Sequence, residues 1–283
     1  MPQQIRPPAV AGQFYPEAAP ALAREIEEAF THELGPGDLP EIHENGPRNI
    51  LGLICPHAGY PFSGHTAAHA YIRLADDGHP DVAIIIGVNH GRAGRASALQ
   101  VSGGWRTPLG DLMIADDVAE EIAGALPGFE TGVEAFRGEH SLEVQLPFLQ
   151  YLYDEALLFV PVMMSAQDLE TAREVGEAVA SALEGRDAVV IASTDMTHYE
   201  AAETARRNDL ILMKRIEELD AEGLITERQQ RDISMCGSGP VAATIIATRA
   251  LGASSVQRLA YSNSGDVMPS TEIVGYYAAA IMK

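Results

Sequence analysis

The sequence predicts a single-domain α/β fold: a central sheet, mixed or mostly parallel, with helices on both faces. Three observations carry this. Continuous runs rich in β-branched residues, NILGLIC, VAIIIGV and AVVIAST, read as strands buried on both sides, as in sheets covered by helices. Segments of helical period stand between them, so strand and helix alternate along the chain. No linker, repeat or low-complexity stretch interrupts the alternation, which predicts one domain over residues 1–283.

In order, residues 16–33 (PEAAPALAREIEEAFTHE) have amphipathic helical spacing, and the Gly/Pro loop GPGDLPEIHENGPRN leads to the first buried strand. GHTAAHAYIRLA reads as a helix on its Ala and Leu content, and DVAIIIGV as the next strand, completing a βαβ unit. ASALQVSGGWRTPLGDLMI suggests two short strands or a hairpin, with Gly103-Gly104 as the turn. Helical patterns follow in DDVAEEIAGAL and SLEVQLPFLQYLYD, then the strand ALLFVPVMM, a helix over 169–183 and the strand DAVVIAST. Two acidic helices lie within TARRNDLILMKRIEELD and AEGLITERQQRD, and a small-residue helix in GPVAATIIATRAL. SVQRLAYSNSG and IVGYYAAAIM supply the last strands.

A hydrophobic content of 46% with 21% charged residues is ordinary for a globular chain and argues against disorder. The net charge of -21 argues against nucleic acid and anionic membranes as partners, since both need a basic face. No stretch approaches the roughly 18 uninterrupted apolar residues of a spanning helix, and the start has no apolar signal core. A cytoplasmic location is expected. Two cysteines, Cys55 and Cys236, make no disulfide framework in a chain this long and suit a reducing compartment.

The chemistry-bearing residues gather where strands end. Ligands of open α/β sheets bind at the carboxyl edge of parallel strands. Here NILGLIC leads to His57, VAIIIGV to His90, and AVVIAST to Asp195 and His198. Pro56 holds the preceding residue extended and Gly59 lets the chain turn closely, so His57 should project into the crevice; capping a loop is the alternative. Asp195 and His198 are spaced to start a helix, with His198 as a general acid/base oriented by a carboxylate, or else a cap and a surface His. Cys236 precedes Gly237-Ser238-Gly239-Pro240 and a helix, a setting that lowers a thiol pKa and favours a thiolate ligand. A small buried side chain is the other reading of Cys236, and Cys55 inside its strand fits that role better. A Cys55–Cys236 bridge is a third possibility, disfavoured by reducing conditions.

Glu139 and His140 open a helical segment and Tyr60 closes PHAGY, and all three are further candidates. His65 and His69 have i,i+4 spacing but lack the Glu of HExxH and read as structural, while His32, His43 and His79 read as surface residues. The chain has no GxxxxGK[ST] loop, no GxGxxG turn after its first strand and no GxSxG elbow, which removes nucleotide-driven chemistry and an ordinary serine hydrolase. His57, His90 and Cys236 remain as a ligand set that could take Fe(II), Cu(I) or Zn, with Asp195 and His198 beside it.

The ordered motifs RPPAVAGQFYP, PHAGYPFSGHTAAHAY, GVNHG, TPLGDL, EHSLEVQLPFLQ, VPVMM, STDMTHY and CGSGP resemble the Memo family across nearly the whole chain. Its prokaryotic members are described as protein B of the AmmeMemoRadiSam system. The resemblance implies a fold similar to class III extradiol dioxygenases and a non-haem metal site. It assigns His57, His90 and Cys236 as metal ligands and His198, with Asp195 nearby, as the acid/base pair. Cys236 stands where the dioxygenases use a carboxylate, so a softer metal preference is implied and ring cleavage is not. Val88 replaces the Pro that relatives often carry before the second His. Animal relatives are described both as adaptors and as copper- or iron-binding redox proteins. The implied partners are a small molecule or peptide in the crevice and radical-SAM or AMMECR-domain proteins. The alternative is a scaffold with a vestigial, metal-free crevice.

Overall fold

In a computed structural model, which describes residues 4–43, 45–91 and 97–283, the chain begins with β1 (Ile5–Arg6) and α1 (Ala19–Thr31). It continues through β2 (Ile50–Cys55), α2 (Tyr60–Asp77), β3 (Val82–Val88), β4 (Ala98–Leu99), β5 (Gly104–Thr107), β6 (Gly110–Met113), α3 (Asp116–Ala125) and β7 (Glu130–Thr131). Next come α4 (Leu146–Tyr153), β8 (Leu158–Met164), α5 (Leu169–Ala182), β9 (Ala188–Ser193), β10 (His198–Glu200), α6 (Ala202–Glu217) and α7 (Ala221–Gln230). The end holds α8 (Ser238–Ala250), β11 (Ser255–Asn263), α9 (Ser264–Val267) and β12 (Ile273–Met282).

The main sheet runs β10-β12-β2-β9-β3-β8-β4-β7, with β11 also on β12. Its centre, β2-β9-β3-β8, is parallel, and β12 and β4 join it antiparallel, so the sheet is mixed as expected. The four central strands are buried almost without a break, which is why they read as continuous apolar runs. The chain moves from β2 to β3 by way of α2 and back from β8 to β9 by way of α5. Right-handed crossovers in opposite directions put these helices on opposite faces. α1 and α4 pack with α2 on one side, and α8 with α5 on the other.

Four sequence expectations need correction. No helix starts at Asp195: the amide of Met196 donates to Gly275 O and that of Gly275 to Thr197 O, so β12 captures this stretch as the edge strand β10. The hairpin of β5 and β6 turns at Pro108-Leu109 rather than at Gly103-Gly104. Gly103 instead takes φ +95° against the carbonyl of Gln4, where a Cβ would sit 2.1 Å from that oxygen. The helix expected from Ser141 begins as a 3₁₀ turn, Glu143–Gln145, before α4, because the Glu143 and Gln145 side chains are drawn into buried networks. The last-but-one strand ends at Asn263, which caps α9 with a capping box.

Glu143 secures the N-terminal segment to the body of the protein. Fully buried, it accepts from the Arg6 guanidinium at 2.6 Å, the Tyr15 hydroxyl at 2.6 Å and the amides of Ala9 and Val10. Arg6 also donates to Phe136 O and Glu139 O and lies 4.1 Å above the Trp105 ring.

His65, expected to be structural, is buried on α2, 3.4 Å from the Ser262 hydroxyl, with its ring stacked on His32. Burial, helped by the neighbouring His32 and His69, lowers its pKa to about 4 from an ordinary 6.5. Its folded pKa lies below its unfolded one, so the unfolded chain binds the proton first as pH falls. The stability of the neutral ring is present above about pH 6.5 and is lost progressively towards pH 4. Replacing His65 with Gln should flatten the stability profile over that window, as read from urea midpoints at stepped pH. An unchanged slope would show that His65 does not titrate this way.

Candidate metal centre

β2, β9 and β3 lie side by side, so the loops after them meet at one edge of the sheet. After β2 the chain carries His57, whose amide donates to Asp195 Oδ1 at 2.8 Å. The His57 ring is buried, with Nδ1 3.0 Å from Ser193 Oγ and Nε2 3.3 Å from Cys236 Sγ. After β3, the backbone amide of His90 donates to Glu139 Oε2, and its ring Nδ1 lies 3.0 Å from Oε1. A carboxylate only accepts, so Nδ1 of His90 carries the proton and Nε2 is left with its lone pair. The ligand atoms of His57, His90 and Cys236 all lie within 4.8 Å of one another.

Glu139 is buried and spends its oxygens on four donors: the His90 ring and the amides of His90, His140 and Ser141. Burial alone would raise its pKa, but the hydrogen bond and charge of His90 and the Ser141 amide outweigh it and hold the carboxyl down to about 2. Glu139 therefore orients His90, and with His90 and His140 it also forms a second group whose possible ligand atoms lie within 4.8 Å of one another. His140 stacks on His90 at 4.6 Å, meets His57 edge-on at 5.6 Å and is covered by Phe14 at 4.7 Å. Tyr60 is placed elsewhere: its hydroxyl donates to Val144 O and its ring packs on Tyr15 and Phe148.

Cys236 is half-buried, and its sulfur accepts from the Asp195 amide at 3.2 Å. The expected lowering of its pKa is overturned. α8 begins two residues later, and burial, followed by the charge of Asp195, pushes the thiol up to about 12. Burial, with His90 and His140 nearby, also holds His57 well below the ordinary imidazole range. Without a cation the pair is therefore a neutral thiol beside a neutral imidazole. Cys55 and Cys236 are both free thiols.

His198 is not oriented by Asp195. Its Nδ1 lies 2.8 Å from Met196 O and 2.9 Å from Ser234 O, both acceptors, so the proton sits on Nδ1 and Nε2 is the basic atom. Asp195 instead secures the loop of His57. Burial raises its pKa to about 6 against the opposing hydrogen bonds from the His57 and Ala58 amides and the charges of His198 and His90. Ser193, Gln145 and Ser234 were not singled out from sequence. Gln145 did leave a trace, as a polar residue inside the apolar run VQLPFL.

The sequence profile of the family described as Memo-like protein matches residues 6–281. A MEMO1 family protein of Methanopyrus kandleri is 49% identical over 96% of this chain and 97% of its own length. Another, from Methanothermobacter thermautotrophicus, is 47% identical over 96% of this chain and 98% of its own. The chain belongs to the Memo family. In fold it is also similar to an uncharacterized protein of Escherichia coli K12, with a TM-score of 0.53 at 13% identity over 81% of this chain and 99% of that one. At that identity the likeness is one of fold alone. For this Memo-family chain, the candidate ligands His57 and His90 follow β2 and β3, and Cys236 reaches them from the loop before α8.

Gly237 holds the sulfur where it is. A Cβ there would lie 2.5 Å from Thr194 Cβ and 2.8 Å from Ser193 O, at the end of β9. Gly237→Ala should therefore push the Cys236 turn outward, at an overpacking cost of about 1–3 kcal/mol. If the candidate site holds a metal, its affinity should fall while the far-UV circular dichroism stays that of the wild type. Unchanged affinity would show that the site tolerates the displacement.

Proposed function

We propose that this Memo-family protein binds a redox-active or Lewis-acidic metal ion through His57 Nε2, His90 Nε2 and Cys236 Sγ. The convergence of one ring nitrogen from each histidine and the Cys236 sulfur within 4.8 Å is the observation that carries the reading. Ordinary metal–nitrogen and metal–sulfur bonds place tetrahedral ligands roughly 3.5 Å apart, so the 3.3 Å between Cys236 and His57 needs little movement. Both imidazoles keep Nδ1 on a partner, as metal-bound histidines do. Two nitrogens and a soft sulfur favour Fe(II), Cu(I) or Zn over Mg or Ca.

A bound Fe(II) or Cu(I) would supply Lewis acidity and a one-electron couple, and Zn Lewis acidity alone. His198, which keeps its proton on Nδ1 between Met196 O and Ser234 O, presents Nε2 as a proton acceptor. Asp195 holds the His57 backbone in place, and Phe14 and His140 wall one side. The family resemblance supports a dioxygenase-like oxidoreductase as the finer reading, with Cys236 in the carboxylate position setting it apart. The free thiols suit the reducing cytoplasm. Radical-SAM and AMMECR-domain proteins are the partners proposed by the family's naming.

Anaerobic titration with Fe(II), Cu(I) and Zn under chelator competition tests this. About one equivalent should bind, and His90→Ala should weaken binding at least tenfold. No uptake, or uptake indifferent to His90, would defeat the proposal.

A further inference from the structure

A buried chain of hydrogen bonds leads away from His57 into the core, and its direction can be read without ambiguity. Gln145 is 1% exposed and places Nε2 2.9 Å from Pro56 O, which can only accept. That contact fixes the amide, and Tyr71 OH, 2.7 Å from Oε1, agrees with it as a donor. The same Nε2 lies 2.8 Å from Ser193 Oγ, so Ser193 accepts there. Ser193 Oγ is also 2.5 Å from Ser141 O, a second obligate acceptor, and the single hydroxyl proton goes to it. Towards His57 Nδ1, 3.0 Å away, Ser193 has only a lone pair left.

We propose that Ser193, its one proton taken by Ser141 O and its oxygen held by Gln145 Nε2, is the positioning residue that keeps the proton of His57 on Nδ1 and leaves Nε2 as a lone pair facing Cys236. The consequence for metal affinity rests on His57 being a ligand, whereas the tautomer does not. Glu139 does the same for His90, and Ser141 and Gln145, which hold Ser193, lie with it on one segment, Glu139–Gln145. Ser141 fastens that segment to the end of β3: its hydroxyl donates to Val88 O and accepts from the Val88 amide. One stretch of chain thus sets the ring orientation of both histidines from the side away from the sulfur.

The test reads the imidazole nitrogens of the metal-free protein, labelled with 15N-histidine, by long-range proton–nitrogen correlation spectroscopy, with His57 assigned through His57→Gln. In the wild type His57 should be the Nδ1–H tautomer. Ser193→Ala should shift it to a mixture or to Nε2–H, while Ser193→Thr, which keeps the hydroxyl, should retain Nδ1–H. Metal affinity of Ser193→Ala should fall about 10–100-fold, the range usual for lost partners of ligating histidines. An Nε2–H tautomer in the wild type, or a tautomer unmoved by Ser193→Ala, would overturn the proposal. A wild-type Nδ1–H tautomer with no metal uptake would uphold the relay and defeat only the metal reading.

Discussion

Glu143→Ala is expected to cost about 3–5 kcal/mol of stability, the range for breaking a buried ion pair by removing one partner. Arg6 is only 3% exposed and would be left as an uncompensated charge. The Tyr15 hydroxyl and the amides of Ala9 and Val10 would lose their acceptor together. The segment that carries Phe14 onto His140 should loosen, which links this distant anchor to the wall of the candidate metal site. Urea unfolding gives the stability change, and limited proteolysis near the N-terminus shows the loosening. A loss under 1 kcal/mol would mean that Arg6 finds new partners and that the anchor matters less than its burial indicates.

Cys236→Ser should carry the largest functional effect, reducing metal affinity by at least about 100-fold, more than loss of a residue that merely orients a ligand. Serine keeps the size of the side chain but is a hard, weakly acidic donor in place of a soft one. The pH dependence should change with it. Burial and Asp195 keep the thiol protonated in the free protein, so each ion bound must displace that proton. Apparent affinity of the wild type should therefore rise about tenfold per pH unit between roughly pH 6.5 and 8. The serine variant should lose this slope. Equal slopes in the two proteins would place the released proton elsewhere.

The strands that form the centre of the sheet were legible because burial on both faces makes them uniformly apolar, and the turn residues Pro56 and Gly91 mark where they stop. The meeting of His57 and His90 was also legible, since strand ends share an edge, and Cys236 was marked by its Gly-rich turn before a helix and by the family motif CGSGP. Less visible was everything that depends on what a side chain touches. Asp195 and His198 looked like a helix start because their spacing fits one, but the partner that captures this stretch, β12, lies far along the chain at Ile273–Met282. The expected thiolate at Cys236 failed because a helix terminus acts over one turn, while burial and a neighbouring carboxylate act more strongly here. Gln145 and Ser193 were missed because a hydrogen-bond relay between segments that are 48 residues apart has no local signature. Tyr60 was suggested by its place beside His57, and its hydroxyl went to Val144 instead.

The central claim is that His57, His90 and Cys236 share one metal ion. X-ray absorption spectroscopy on protein loaded anaerobically with a single equivalent of Fe(II), Cu(I) or Zn tests it most directly. One sulfur at about 2.3 Å with two imidazole nitrogens at about 2.0–2.1 Å is the expected first shell. A shell of nitrogen and oxygen alone, with no sulfur, would contradict it.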